Sequence, residues 1–395
     1  MKKRGVCIGG YAGCGNFGDD AILEAMIARL TERGVPRDSV TALTGRPRRD
    51  RRRFGVRCED RMNPAAVFRA LRQAELFVCG GGSLLQNRTG NRSLGYYLAL
   101  LRLAKRLGCR VAYFGGVGPV GGERARRRTA ETLNQCEQIL LRDEDSANLL
   151  QKIGVSGVPV RVGADPAFLL PPPPPMRVAF LQRALLGNDP RPYFCVCMRG
   201  DTRGSLQTNP LQSADARSAL RAAVSRVAAL GYFPVFVVAD RKKDGFCLHG
   251  TQIFPEKAVF YPRDVSELTA VLSAARFTVS CRLHPLILSV AASVPCLGIA
   301  ENVPDGDSGD NPDGGRSVGR SNGRADPDPA ADPKIASFCR AAGVPLLPPD
   351  ASADDLFAAA VSLSSRPRPD PAPFRKKAEK DLAILCEMLY NEREP

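Results

Sequence analysis

Three short apolar runs in the first third of the chain each stop on glycine, and this leaves the chain few folds to choose from. Gly5–Gly10 ends in a glycine turn, Leu76–Cys79 runs into Gly80-Gly81-Gly82, and Val111–Phe114 runs into Gly115-Gly116. Apolar runs this short, without polar alternation, are strands buried on both faces, as in a parallel sheet. The stretches between them carry helical periodicity, at Ala21–Arg33, Pro64–Gln73 and Ser93–Leu107. Strands at Val40–Leu43 and Gln138–Leu141 and helices near Arg124–Gln135 and Glu144–Ile153 continue the alternation. Strands alternating with helices predict a doubly wound, Rossmann-like parallel sheet.

The rhythm restarts after Pro171–Pro175. A continuous proline run is extended and cannot join a sheet, so it reads as a spacer. Beyond it come a strand at Tyr193–Met198, a helix at Ala214–Leu230, a strand at Pro234–Val238, a helix at Val265–Ala274 and a strand at Phe277–Ser280. A helix at Pro285–Ala292 and a strand at Pro295–Ile299 follow. The expected organisation is a Rossmann-like domain over 1–170, a Pro-rich linker over 171–192, a second Rossmann-like domain over 193–365, and a linker with a C-terminal helix over 366–395. Two such domains facing one another resemble the GT-B architecture. Residues 302–330 are rich in Gly, Asp, Pro and Ser with almost nothing apolar, and are expected to be a disordered insertion.

The 395 residues carry a formal net charge of +15, which favours anionic partners such as phosphorylated metabolites. The basic runs Arg46–Arg57 and Glu123–Arg128 read first as solvated loops and second as a peripheral contact with an anionic membrane. No nucleic-acid-binding motif accompanies them, so nucleic acid is not an expected partner. The absence of Trp, with only 8 Tyr, excludes an aromatic-rich carbohydrate-binding module. The 13 cysteines are odd in number, and Cys7, Cys79, Cys195, Cys197 and Cys281 lie in or beside apolar strands. That placement predicts free thiols in a reducing, cytoplasmic setting, and no pair has zinc spacing. The start, MKKRGVCIGG, is not expected to be a signal peptide, and no apolar run reaches the about 18 residues a membrane span needs.

The first strand-to-helix turn contains Gly13, Gly15 and Gly18 in the GxGxxG spacing of a dinucleotide site. Asp19 and Asp20 follow at the helix start, where they would repel a diphosphate, and no ribose-binding acid ends the second strand. Either these carboxylates are simple helix caps, or one faces the cleft to orient or deprotonate a sugar hydroxyl. Gly80-Gly81-Gly82-Ser83 ends another strand, where backbone approaches ligand closely; Asn87, Arg88 and Arg92 follow it. In the second half Arg199 ends strand Tyr193–Met198, and Arg282-Leu283-His284 stands between a strand and a helix on the same sheet rim. Guanidinium groups bind carboxylate and phosphate in bidentate geometry, and an imidazole at such a rim suits proton transfer. His249, in a polar loop, reads as incidental.

At these residues the sequence resembles the polysaccharide pyruvyl transferase family, CsaB type. The resemblance runs through Gly10–Leu23 (GYAGCGNFGDDAIL), Gly80–Gln86 (GGGSLLQ), Arg92–Leu98 (RSLGYYL) and Gly115–Pro119 (GGVGP). It continues through Leu141–Leu150 (LRDEDSANLL), Ala164–Leu170 (ADPAFLL), Arg282–Leu288 (RLHPLIL) and Ala331–Phe338 (ADPKIASF). It implies a GT-B-like fold, phosphoenolpyruvate as donor and co-substrate with no further cofactor, and a ketal-pyruvylated sugar as product. The implied acceptor is a lipid-diphosphate-linked saccharide containing N-acetylmannosamine, whose polymer anchors surface-layer proteins to the cell wall. Carried over residue by residue, Arg199, Arg282, His284 and Lys334 bind or activate the donor with Leu283 against it, and His284, Arg282 and Asp19 are the catalytic set. Asn16, Asp19, Asp20, Gly81, Gly82, Ser83 and Arg92 are the expected acceptor side; no step requires a metal. This chain has Asp19-Asp20 where the family usually has Asp-Glu, Pro285 where Ala is common, and the insertion ahead of Lys334. The rival readings are a nucleotide-sugar glycosyltransferase, a polymer-binding adaptor and an NAD(P) dehydrogenase.

Overall fold

A computed structural model of the chain describes residues 5–87, 90–199, 214–240, 244, 259–300 and 333–390. The expected disordered insertion, His249 and Arg88 lie outside the described residues. Seven parallel strands form the first sheet: β1 (Val6–Gly9), β2 (Val40–Thr44), β3 (Arg57–Asp60), β4 (Leu76–Gly80), β5 (Arg110–Gly115), β6 (Gln138–Leu141) and β7 (Val160–Val162). Their spatial order is β3-β2-β1-β4-β5-β6-β7, with Val6 of β1 in register with Val40 on one side and Leu76 on the other. The second sheet holds β8 (Tyr193–Cys197), β9 (Phe233–Val237), β10 (Val259–Phe260), β11 (Thr278–Ser280), β12 (Cys296–Ile299) and β13 (Leu346–Leu347), all parallel, in the order β10-β9-β8-β11-β12-β13. The chain is thus two doubly wound α/β domains in a GT-B-like arrangement.

In each sheet the strand order reverses at a central strand, β1 in one and β8 in the other. Crevices form at the carboxyl ends of strands flanking such a reversal, because the crossovers on either side leave in opposite directions. The Gly10 turn and the Gly80–Ser83 turn occupy that position in the first domain, and Arg199 and Arg282 occupy it in the second. Cys7, Cys79, Cys195 and Cys197 are fully buried in the sheets as free thiols, and burial pushes each thiol above its ordinary range.

The helix α1 (Phe17–Glu32) is wedged between the domains. It is covered nearly all round, for Phe17, Ala21, Ile22, Leu23, Met26, Ile27 and Leu30 are all buried. Met26 and Leu30 are wholly excluded from water, worth about 2 kcal/mol each. They belong to one continuous cluster that also holds Leu268 and Leu286 of the second domain, so the two domains share an apolar seam. The seam extends into hydrogen bonding, since Phe17 N–H donates to Ala239 O at 3.2 Å.

Some expectations change. The arginine run Arg46–Arg57 is not a loop. It forms the helix α2 (Pro47–Phe54), opened by proline at its first position, with Asp50 and Phe54 buried against the domain. The edge strand β3 (RCED) shows only Cys58 as an apolar residue, because an edge strand has one partner and a half-solvated face. The segment 171–192 is not extended throughout, for Pro175–Leu186 is a helix that begins on the last proline of the run and buries Leu181 and Leu185. The last helix, Ala372–Tyr390, packs back on the first domain through Asp381, which is wholly buried and bound to Arg161 at 2.8 Å and to Ala164 N–H at 3.2 Å. Phe374 of the same helix stacks on Phe168 of the first domain, with Phe338 of the second beside them. No helix among the described residues is long and apolar enough to cross a membrane.

Candidate active site

A cavity of about 560 Å³ opens where the two sets of strand ends meet. From the first domain it is lined by Asn16, Asp19, Gly82 and Ser83, together with Tyr11, Ser93, Tyr97 and Arg142. From the second it is lined by Arg199, Arg282, Leu283, His284 and Lys334, together with Asp240. The residues expected on the donor side therefore stand on one wall, and four of the seven expected on the acceptor side stand opposite.

His284 is placed by the turn that precedes it. Ser280 Oγ, at the end of β11, accepts from Arg282 N–H at 2.8 Å and lies 3.1 Å from Cys197 O of β8. That clamp fixes the start of helix Leu283–Ala291, so His284 projects from its first turn toward the first domain. The imidazole lies directly on Gly18: a Cβ on Gly18 would stand 2.1 Å from His284 Nδ1. A Cβ on Gly82 would stand 3.7 Å from the same ring, so two glycines of the first domain frame it. Gly18 is needed here for this close approach, not to cradle a diphosphate.

Behind the imidazole lies a buried charge network. Asp165 Oδ2 is 3.6 Å from His284 Nε2 and 2.8 Å from Arg142 Nη1, and Asp165 also accepts from Ala167 N–H at 3.0 Å. Burial works to raise the Asp165 carboxyl, but His284, Arg142 and the Ala167 amide outweigh it and hold the group well below the carboxylate range. Burial likewise opposes the Arg142 charge, and Asp165 and Asp143 overcome it. Arg142 Nη2 also donates to Ser83 Oγ at 3.1 Å, tying the network to the Gly80–Ser83 turn.

The paired carboxylates after the first glycine turn have divided roles. Asp19 faces the cavity, accepting from Gly82 N–H at 3.0 Å and from Asn16 Nδ2 at 2.5 Å. Burial raises its carboxyl, with His284 and the Gly82 amide opposing the rise. Asp20 turns away. It accepts from Gly13 N–H at 2.7 Å and from Arg53 Nη1 at 2.5 Å, so it holds the turn and is removed from the acceptor side. Gly81 also leaves the acceptor set, for its N–H donates to Phe114 O and it does not line the cavity. Arg92 is exposed on helix Asn91–Arg106, while Ser93 and Tyr97 of that helix reach the cavity instead. A one-residue offset on a helix rotates a side chain by about 100°, which is enough to exchange wall for solvent.

Arg282 is bound to Asp244, a wholly buried carboxylate. Burial raises the Asp244 carboxyl and Arg282 opposes the rise. Arg142 and Asp165 were not singled out as site residues although both lie inside quoted motifs; the signal was Arg142 directly following strand β6 at its carboxyl end. Among the described residues no group of three His, Cys, Asp or Glu is arranged to hold a metal ion.

A family model described as polysaccharide pyruvyl transferase matches residues 16–302, which is most of the chain and includes every catalytic candidate. No curated protein matches the chain. Solved structures match over nearly the whole length at low identity. UDP-GlcNAc 2-epimerase from Methanocaldococcus jannaschii is 13% identical with a TM-score of 0.62, over 97% of this chain and 99% of that one. UDP-GlcNAc 2-epimerase from Neisseria meningitidis, bound to UDP-GlcNAc, is 10% identical with a TM-score of 0.55, over 97% and 99%. Anabaena Alr3699/HepE in complex with UDP-glucose is 12% identical with a TM-score of 0.53, over 96% and 99%. At these identities the likeness concerns the fold alone.

Proposed function

The chain belongs to the polysaccharide pyruvyl transferase family, and from that premise we propose that it transfers pyruvyl from phosphoenolpyruvate to a sugar of a lipid-diphosphate-linked cell-wall precursor, forming a pyruvate ketal. The observation that carries this reading is the position of His284: it lies in the cleft between the domains, backed by Asp165 and Arg142, in a cavity that also presents Arg199, Arg282 and Lys334.

Phosphoenolpyruvate carries a carboxylate and a phosphate, and cationic groups on the second-domain wall match both. The amides of the first turn of helix Leu283–Ala291 add a positive field at the same rim. Proton transfer from His284 to the methylene carbon makes C2 electrophilic, and one sugar hydroxyl adds to C2. The C2–O bond to phosphate then breaks, the second hydroxyl closes the ketal, and its proton leaves with phosphate. One diol and one phosphoenolpyruvate thus give one ketal and one phosphate. Asp19 orients or deprotonates the acceptor hydroxyl from the facing wall, and its anchoring by Gly82 N–H and Asn16 fixes where that oxygen lies. Asp165 acts through His284: it stands 3.6 Å behind the imidazole and orients the ring toward the cavity. A surface-layer-anchoring polymer with an N-acetylmannosamine unit is the acceptor this reading favours.

Mass spectrometry of lipid-linked saccharides incubated with enzyme and phosphoenolpyruvate tests the reaction; a mass gain of one ketal-linked pyruvyl group is expected. His284→Ala is expected to abolish turnover with the fold intact, and wild-type-like activity in that variant would remove His284 from the mechanism. The likeness to nucleotide-sugar enzymes favours a second reading, a glycosyltransferase. Label transfer from a nucleotide sugar, with none from phosphoenolpyruvate, is the result that would establish it.

A further inference from the structure

A second cavity, of about 630 Å³, opens beyond Asp20 on the side of the α1 N-terminus away from Asp19. Its first-domain wall is α2, which presents Arg48, Arg49, Arg52 and Arg53; its second-domain wall is Arg263–Ser266, leading into helix Val265–Ser273. The carboxylates of this cleft are already engaged. Asp264 caps the helix at Glu267 N–H and meets Arg177 at 3.2 Å, and Glu24 lies 3.6 Å from Arg53. Arg263 is held by Glu267 at 2.5 Å. Arg53 gives Nη1 to Asp20, while its Nε and Nη2 are buried without a hydrogen-bond acceptor. Arg48 and Arg52 are exposed, and among the described residues neither has a carboxylate partner.

Buried donors without an acceptor are costly, and the guanidinium groups of Arg48 and Arg52, without a carboxylate partner, repel one another. Both penalties are relieved by one multivalent oxyanion. Guanidinium forks match phosphate oxygens in paired hydrogen bonds, and the cavity has room for more than one phosphoryl group. Nothing in the pyruvyl transfer described above uses these residues. We propose that this arginine-walled cleft is a second anion site, separate from the cavity around His284, that binds a phosphate or diphosphate group. Arg49 Nη2 already reaches across to Arg263 O at 3.2 Å, so the anion lies where the two domains touch and holds its walls together. Such a group has two sources: a free phosphorylated molecule, or the headgroup of a lipid at a membrane surface.

The test titrates inorganic diphosphate into the full chain by calorimetry, and in parallel measures co-sedimentation with phosphatidylcholine vesicles doped with phosphatidic acid. The pair Arg48→Ala/Arg52→Ala, at exposed positions without carboxylate partners, is compared with Lys334→Ala in the main cavity. The double variant is expected to weaken binding by about tenfold or more, since each lost charge-assisted pair contributes that order, while Lys334→Ala leaves this binding event in place. Weakening in the titration assigns a free ligand, and weakening confined to vesicles assigns a lipid headgroup; either supports the site. Unchanged binding in both arms, or diphosphate binding lost only with Lys334→Ala, overturns it.

Discussion

Adding a single methyl group at Gly18 isolates what the position of His284 contributes. The new Cβ would stand 2.1 Å from Nδ1, 2.3 Å from Cγ and 2.7 Å from Cε1 of the imidazole. Ordinary contact begins near about 3.5 Å, so the ring must retreat by about 1.4 Å. The local backbone raises no objection: Gly18 lies in the first turn of α1 without a left-handed φ, and alanine is the better helix former by about 1 kcal/mol. Overpacking costs about 1–3 kcal/mol, so the net loss of stability for Gly18→Ala is at most about 2 kcal/mol and the protein stays folded. Catalysis responds far more, because a displacement of about 1 Å at a reacting group lowers rate about a hundredfold. Phosphate release from phosphoenolpyruvate in the presence of acceptor, followed with Tm on the same sample, reads both quantities. A fall in kcat of that order with a small Tm shift is expected. Wild-type kcat for Gly18→Ala would show that the imidazole does not work from this position, and the reasoning would be refuted.

Gly95→Ala is the matching control. This glycine lies mid-helix with open space where its Cβ would be, so the change should raise stability by about 1 kcal/mol and leave turnover alone, as thermal unfolding and the same assay will show. Asp165→Asn, which can keep the cap on Ala167, is expected to lower kcat about a hundredfold by releasing His284, and to lower Tm because Arg142 loses the nearer of its two carboxylate partners. Asp165 also predicts acid sensitivity. Its folded pKa is depressed below the unfolded value of about 3.9, so the stability it gives is complete above that value and drains away as pH falls further; denaturant midpoints across this window should fall less steeply in Asp165→Asn. Asp381→Ala leaves Arg161 and Ala164 N–H without their partner and should cost about 3 kcal/mol, read as earlier proteolytic release of the C-terminal helix.

The fold was legible wherever strands are buried on both faces. Cys7-Ile8, Phe77-Val78 and Val196-Cys197 announce themselves because a parallel sheet wants apolar residues at every position. Where an element is half wet the signal fades: β3 offers Cys58 alone, and α2 hides a buried Asp50 and Phe54 among arginines that look like a solvated run. Arg199, Arg282, His284 and Asp19, singled out because glycine turns and strand ends mark where ligand can approach, line one cavity. Asp20, Gly81 and Arg92 were assigned by proximity in sequence, but adjacent residues on a helix or tight turn face different ways, and Asp20 serves Arg53 and Gly13 instead. Asp165 and Asp244 were overlooked since their role is to hold another side chain, a relation that exists only across the folded chain.

The polypeptide passes between the two domains twice, once through 171–174 and again ahead of Ala372, and the second passage ends beside the first, where Phe374 meets Phe168. Two neighbouring crossings constrain rigid bodies as a paired pivot does: sliding is resisted and a swing about one line remains. His284 lies across the cleft from its framing glycines, so any swing that widens the entrance also lifts the imidazole off Gly18 and away from Asp165. The width of the cleft and the seat of the imidazole on Gly18 and Asp165 are therefore set together.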